Sequence, residues 1–348
     1  MTQIGTEAKS NPRLSIIPHA GILVAVVVTY NRLDQLKLTL GRLLSSSLTD
    51  LAYVVVVDNA STDGTNDWLI AQSDTRLDVL RNAQNIGGAG GFEAGMRYVA
   101  ATYNPDWMLV MDDDGRPCSG ALKQFHTDML WEPVATQPEI WGVAAAVFHP
   151  SGQICDINRP SINPFWHLPT LLRTVLGGGR NAFHLGADAF EPKAIKRDVD
   201  AASFVGLFVA RAGWEAVGFP DGDLFIYGDD VLYTLGLRQA GGRVLFNPSI
   251  RFEHDFSTIA KGKNRFNPIW KAYYHHRNLM IVYRRAAGVF FWPALLIILP
   301  KWLSKMRHYK GEERIFLALI NRAIWHGLRQ HTGVAHDQVL AWTSVDDK

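Results

Sequence analysis

The chain has 348 residues, 47% of them hydrophobic and 20% charged, with a formal net charge of +2. This composition excludes disorder over most of the length, and the length suits one large domain with an appendage. The near-neutral charge hides an asymmetry: aspartate clusters lie before residue 256, whereas Lys261 to Lys310 is dense in Lys, Arg, His and aromatic residues. An acidic body with a basic, aromatic tail points to an anionic surface, such as a membrane, as neighbour. No nucleic-acid module is legible, so nucleic acid is not an expected partner.

Residues 1–20 are mixed and polar and read as a flexible leader. Pro18 and His19 interrupt the first apolar stretch, so no signal peptide is expected. Cys118 and Cys155 have neither zinc spacing nor a disulfide framework, which fits a reducing, cytoplasmic setting.

From Gly21 the pattern alternates. Val24 to Val28 and Tyr53 to Val57 are short β-branched runs, and leucines at helical spacing fill Leu33 to Leu44 between them, a βαβ unit. Continuous apolar runs predict parallel strands covered on both faces. A third strand is expected at Asp78 to Leu80, a helix around Phe92 to Ala101 after a Gly-rich turn, and a fourth strand at Trp107 to Met111. Residues 151–200, with scattered Pro, Gly and Asn, read as a loop-rich excursion. Order resumes with strands at Phe204 to Ala210 and Leu224 to Tyr227, a helix to Ala240, and a strand at Arg243 to Phe246. The expected organisation is a catalytic domain over 21–256 and a helical, basic-aromatic region over 257–348.

Four constellations carry chemistry. Asp112, Asp113 and Asp114 end an apolar strand; such a cluster repels itself unless a cation neutralises it, and hard divalent cations take oxygen ligands. Asp58 ends another strand, where a carboxylate can accept a hydrogen bond from a base N–H. Asn85, Gly87 and Gly88 belong to a Gly-rich turn opening a helix, whose glycines allow close backbone approach and whose N-terminus favours anions. It is neither a P-loop nor a dinucleotide fingerprint. Asp229 and Asp230 follow an apolar run at a helix start, where a carboxylate can be a general base, and His254 lies 24 residues beyond Asp230 and can complete a metal shell.

In order and spacing, Val26-Val27-Val28-Thr29-Tyr30-Asn31-Arg32, Val57-Asp58-Asn59, the Asn85 to Gly91 turn, Asp112-Asp113-Asp114 and Gly228-Asp229-Asp230 resemble glycosyltransferase family 2 over about residues 22–256. The details look most like bacterial galactofuranosyltransferases, with rhamnosyltransferases close behind. The resemblance implies a GT-A α/β fold: a mostly parallel sheet with helices on both faces, here with a helical C-terminal appendage. It implies Thr29 and Asp58 at the uracil end of a UDP-sugar, with Asn31, Arg32, Asn85, Gly87, Gly88 and Asp113 also at the donor. Asp112 and Asp114 contact the metal, Mn²⁺ or Mg²⁺, and ribose-diphosphate; His254 is a metal ligand; Asp230 is the base. Many family members have Glu-Asp where this chain has Asp229-Asp230, which leaves both aspartates as candidates.

The implied reaction is a single inverting displacement onto a cell-envelope glycan or lipid-linked acceptor, with the protein peripheral on the inner membrane face. The alternatives are a rhamnosyltransferase using dTDP-rhamnose and a non-catalytic sugar-nucleotide-binding protein. The stretch Gly288 to Pro300 is uncharged and apolar but shorter than the roughly 20 residues that span a bilayer, and it is flanked by basic residues, as an interfacial segment would be.

Overall fold

The computed structural model describes residues 20–130, 139–255 and 265–343. The expected leader lies outside the described residues apart from Ala20. Strands β1 (Leu23–Thr29), β2 (Tyr53–Asp58), β3 (Leu77–Arg81) and β4 (Trp107–Asp112) are parallel in the order β3-β2-β1-β4. Side chains alternate across this sheet. Val24, Val26, Val28, Val55, Val57 and Val110 enter one core, and Leu23, Ala25, Val27, Val54, Val56 and Leu109 enter the other. Both faces are covered, which is why the strand sequences are apolar without interruption.

Beyond β4 the sheet is mixed. The order continues β8-β6-β9-β5, where β5 is Gly115–Pro117, β6 Ile140–Phe148, β8 Leu207–Ala210 and β9 Arg243–His254. Strand β7 (Arg197–Val199) pairs with β9. Strand β8 is antiparallel to both β4 and β6, β6 is parallel to β9, and β5 and β7 are antiparallel to β9. The sheet is therefore less parallel than the sequence suggests, because β8, between β4 and β6, runs against both.

Helices α1 (Leu33–Leu44), α2 (Thr65–Ile70), α3 (Gly87–Tyr103), α4 (Ala121–Leu130), α5 (Leu168–Arg173), α6 (Arg211–Val217) and α7 (Asp229–Gln239) connect or flank these strands. The expectation of a helix from Phe92 is corrected: α3 begins at Gly87, so the glycines lie inside it. A Cβ at Gly91 would come 2.6 Å from Val28 Cγ1, and one at Gly95 2.6 Å from Val26 Cγ1. These glycines let the helix lie close on β1 and β2. The apolar run Leu224 to Tyr227 is likewise not a strand: Gly222–Leu224 is a short 3₁₀ turn, and Phe225 (φ 66°) and Tyr227 (φ 71°) are left-handed.

The C-terminal helices are α8 (Lys271–Ala287), α9 (Phe291–Ser304), α10 (Glu313–Leu328) and α11 (His336–Ala341). Helix α8 packs on α10 around Tyr273, Tyr274, Tyr309 and Phe316. The run Lys271–His308 is long and apolar enough, by length and composition, to cross a membrane. Gly288, at φ 52° and ψ −120°, interrupts its helical path, and α8 is buried against the rest of the protein on one side.

Candidate active site

Strand register gathers the acidic residues. Thr29 is level with Asp58, and Val28 with Asp112, so the C-terminal ends of β1, β2 and β4 share one edge, where ligands of α/β sheets bind. His254 is brought in from far along the chain by pairing opposite Gly115. Its Nε2 lies 3.1 Å from Asp114 Oδ1, and its Nδ1 faces Asn158 Oδ1 at 2.7 Å. The ring is thus held between Asn158 and Asp114, with Nε2 turned toward the carboxylate, where it can serve as a metal ligand. Asn158 is held by Cys155 Sγ–H at 2.8 Å and itself donates to Ser203 Oγ at 2.9 Å.

One ligand atom each from Asp112, Asp114 and His254 lies within 4.8 Å of the others. Burial, then repulsion from Asp114, pushes the Asp112 carboxyl up. Burial also opposes ionisation of Asp114, but His254 and Arg32 outweigh it and hold that carboxyl below the usual range. Arg32 Nη1 bonds Asp114 Oδ2, and Thr29 Oγ1 donates to Asp113 Oδ2 at 2.7 Å. Asp113 is thus turned inward, 3% exposed, and any role of Thr29 or Asp113 toward a ligand runs through the atoms these bonds leave.

On the donor side, Asn31 bridges two loops: its N–H donates to Ser61 Oγ at 2.9 Å, and its Oδ1 accepts from the Thr62 N–H at 2.7 Å. Asp58 Oδ1 accepts from the Ser61 N–H, whereas its buried Oδ2 has no hydrogen-bond partner and sits 3.8 Å from Arg81 Nε. Asn85 Oδ1 accepts from the Gly87 N–H, and a Cβ on Gly87 would meet the Phe225 carbonyl at 2.1 Å. Gly87 is therefore a packing position. Gly88, with nothing near its missing Cβ, borders open space.

The carboxylate pair opens α7. Asp229 is buried and Asp230 retains some exposure, and the charge of Asp229 is felt at Asp112, which places both motifs in one crevice. Burial, then Asp230, pushes the Asp229 carboxyl up; burial pushes Asp230 up to about 6. The preceding loop is held from α8. Asn278 Nδ2 faces the carbonyls of Leu224, Ile226 and Tyr227 at 3.0, 2.8 and 2.8 Å, and Arg277 Nη2 donates to Leu224 O at 2.8 Å. Sequence reading missed Asn158, Arg277 and Asn278. The last two carry a signal in principle, a polar pair between the buried aromatic and apolar residues of one helix.

Residues 24–149 match the family Glycosyl transferase family 2. The chain is 29% identical over 228 residues to galactofuranosyltransferase GlfT1 of Mycolicibacterium smegmatis, covering 64% of this chain and 67% of that one. It is 31% identical over 222 residues to the Mycobacterium tuberculosis protein of that name, covering 62% and 64%. The chain thus spans about two thirds of the length of these relatives. Among solved structures it resembles mannosyltransferase PcManGT from Pyrobaculum calidifontis in complex with GDP-Man and Mn²⁺, with TM-score 0.51, 16% identity and coverage of 96% and 89%. It also resembles S. aureus TarS 1-349, with TM-score 0.52, 13% identity and coverage of 89% and 83%. These two likenesses show the GT-A fold, residues 24–149 match glycosyltransferase family 2, and the chain is similar to bacterial galactofuranosyltransferases.

Proposed function

We propose that the chain is an inverting, metal-dependent glycosyltransferase that takes galactofuranose from UDP-galactofuranose and passes it to a glycan or lipid-linked acceptor at the cytoplasmic face of a membrane. The observation that carries this reading is the meeting of Asp112, Asp114 and His254 at the strand ends beside Asp229 and Asp230. Two carboxylates and an imidazole suit a divalent cation such as Mn²⁺ or Mg²⁺, and the raised Asp112 marks a charge deficit that a cation would fill. When bound, the cation supplies positive charge for the departing diphosphate. Asp230 takes the proton of the acceptor hydroxyl, Asp58 offers to a base N–H the oxygen that makes no hydrogen bond, and Asn158 holds the His254 ring in its ligating orientation. The similarity to galactofuranosyltransferases supports the choice of donor.

A panel of nucleotide sugars that includes UDP-galactofuranose and dTDP-rhamnose tests the reaction. The expected result is release of UDP from UDP-galactofuranose with Mn²⁺ or Mg²⁺ and none after chelation. Release from dTDP-rhamnose alone would overturn the donor, and release from no donor would overturn the activity. Asp114→Ala and His254→Ala are each expected to raise the metal concentration for half-maximal activity at least about tenfold. Mn²⁺ binding followed by electron paramagnetic resonance should weaken in parallel, and an unchanged titration for His254→Ala would leave that residue a purely structural one.

A further inference from the structure

Behind the carboxylate loop, outside the site just described, lies a cavity of about 430 Å³ lined by Arg265, Phe266, Lys301, Lys305, Arg307 and His308. Its size is that of a small-molecule site, larger than a lone inorganic anion needs. Among the described residues the lining is basic and contains no carboxylate. Arg265 is bound to Glu312 at 2.6 Å, but among the described residues Lys301, Lys305 and Arg307 have no acidic partner. Burial pulls the Lys305 ammonium down, the sign of a cation held close to the protein without a compensating anion. Three uncompensated cations around one concavity repel one another, and an anionic group relieves that repulsion.

The surroundings identify the kind of anion. The cavity sits at the C-terminal end of α9, and Ile297, Lys301 and Ser304 follow one another at helical spacing on one side of that helix. The outer surface of α9 and of the turn before it is otherwise apolar: Val289 in the turn is 86% exposed, and on the helix Trp292 is 63%, Leu296 79% and Ile297 59% exposed. The segment holding α5 adds to this surface. Leu168, Leu172, Val175 and Leu176 are all exposed, and Phe165 stacks on Phe290 with ring centroids 6.2 Å apart. At 14 residues α9 is roughly 21 Å long, too short to cross a hydrocarbon core of about 30 Å. An apolar face that ends in a basic concavity matches an amphiphile lying in a membrane surface, with its chains against α9 and its charged head in the cavity.

We propose that this cavity binds the terminal phosphate or diphosphate headgroup of a membrane lipid while the α9 and α5 surface rests in the hydrocarbon beside it. Occupancy is coupled to the carboxylate loop by contact: the Phe266 ring lies 6.2 Å from that of Tyr227, two residues before Asp229, and 4.8 Å from His275. The site therefore sets the catalytic crevice at a fixed height above the lipid headgroups.

The test uses the full chain with vesicles of phosphatidylcholine doped with phosphatidic acid, which ends in a phosphate monoester. Vesicles doped with phosphatidylserine to the same surface charge are compared in co-sedimentation. Binding is expected to favour phosphatidic acid by about tenfold, and the double change Lys301→Ala, Lys305→Ala is expected to abolish that preference. Trp292→Ser with Leu296→Ser should weaken binding to both vesicles alike. A thermal melt shows whether each variant is folded, and Lys123→Ala, on the distant α4, controls for loss of charge alone. Equal binding to the two vesicle types, or a preference that survives the double lysine change, would overturn the proposal. So would inorganic diphosphate binding as tightly in free solution, because the site would then be one for a soluble anion. Metal-dependent donor release is measured on the same variants; its failure would bear on the proposed reaction and leave the vesicle result standing.

Discussion

Asp230→Asn is expected to lower the rate of transfer by about a hundredfold to ten-thousandfold, the span of general base catalysis, while donor KM stays nearly constant. The reasoning begins with geometry. Asp230 lies in the first turn of α7, keeps part of its surface open to the crevice, and has one oxygen engaged by the Val231 N–H at 2.7 Å. Its other oxygen is free to meet an acceptor hydroxyl. Asp229 is more deeply buried, and both burial and its neighbour favour its neutral form. A buried carboxyl that prefers to stay protonated is a poor base, so Asp230 is the better assignment and Asp229→Asn the matched comparison.

The pH profile gives an independent reading of the same assignment. A general base acts as the carboxylate. Because burial raises Asp230 to about 6, transfer should be low below that pH and rise to a plateau above it. The Asn variant should show a low residual rate without that rise. If donor affinity fell in the same proportion as the rate, the residue would be a donor contact and the assignment of base would be lost.

How much of this was readable beforehand follows from where the determining contacts lie in the chain. Strands β1, β2 and β4 and their terminal aspartates are legible because β-branched runs and the polar residues after them are local signals. Strand β6 is not, because Ala144, Ala145 and Ala146 at its centre have little strand preference; it forms because β8 and β9 flank it. The placement of His254 beside Asp114 has no local signal in the sequence, since what brings the two together is pairing between Gly115 and a strand more than a hundred residues later. The glycines from Gly87 to Gly91 read as a ligand loop because glycine signals closeness without saying to what, and here Gly87 meets the Phe225 backbone, Gly90 the Ile86 side chain and Gly91 the Val28 side chain. Asn158 sits in a segment whose sequence has no periodicity, so nothing marks it out from other loop asparagines.

Asn278→Ala is expected to lower transfer severely although the residue touches neither donor nor acceptor, because Asn278 and Arg277 are positioning residues for the loop that carries Asp230. Phe225 and Tyr227 hold positive-φ backbone conformations, sparsely populated by residues with a Cβ and costing about 1–3 kcal/mol each. Something must compensate, and the compensation comes from α8. The Asn278 amide reaches three loop carbonyls, one of its hydrogens being shared, and Arg277 adds Asp223 O at 3.2 Å and Leu224 O at 2.8 Å. Arg277 is itself fully buried, bonded to Thr332 O at 2.8 Å and stacked near Tyr273 and Tyr274 at 5.4 and 5.1 Å. Removing the Asn278 amide takes the donor from the half-buried Ile226 and Tyr227 carbonyls while Leu224 O keeps Arg277, a loss of about 1–3 kcal/mol in stability. Asn278→Asp, nearly identical in shape, should be at least as damaging, because it turns an acceptor toward acceptors. Urea denaturation measures the stability, and kcat is then read where the variant is fully folded. Released from its pins, the loop relaxes and Asp230 moves out of line, so kcat should fall about tenfold or more with donor KM little changed. A folded Asn278→Ala protein with normal kcat would show that the loop keeps its shape unaided, and α8 would then be only a buttress.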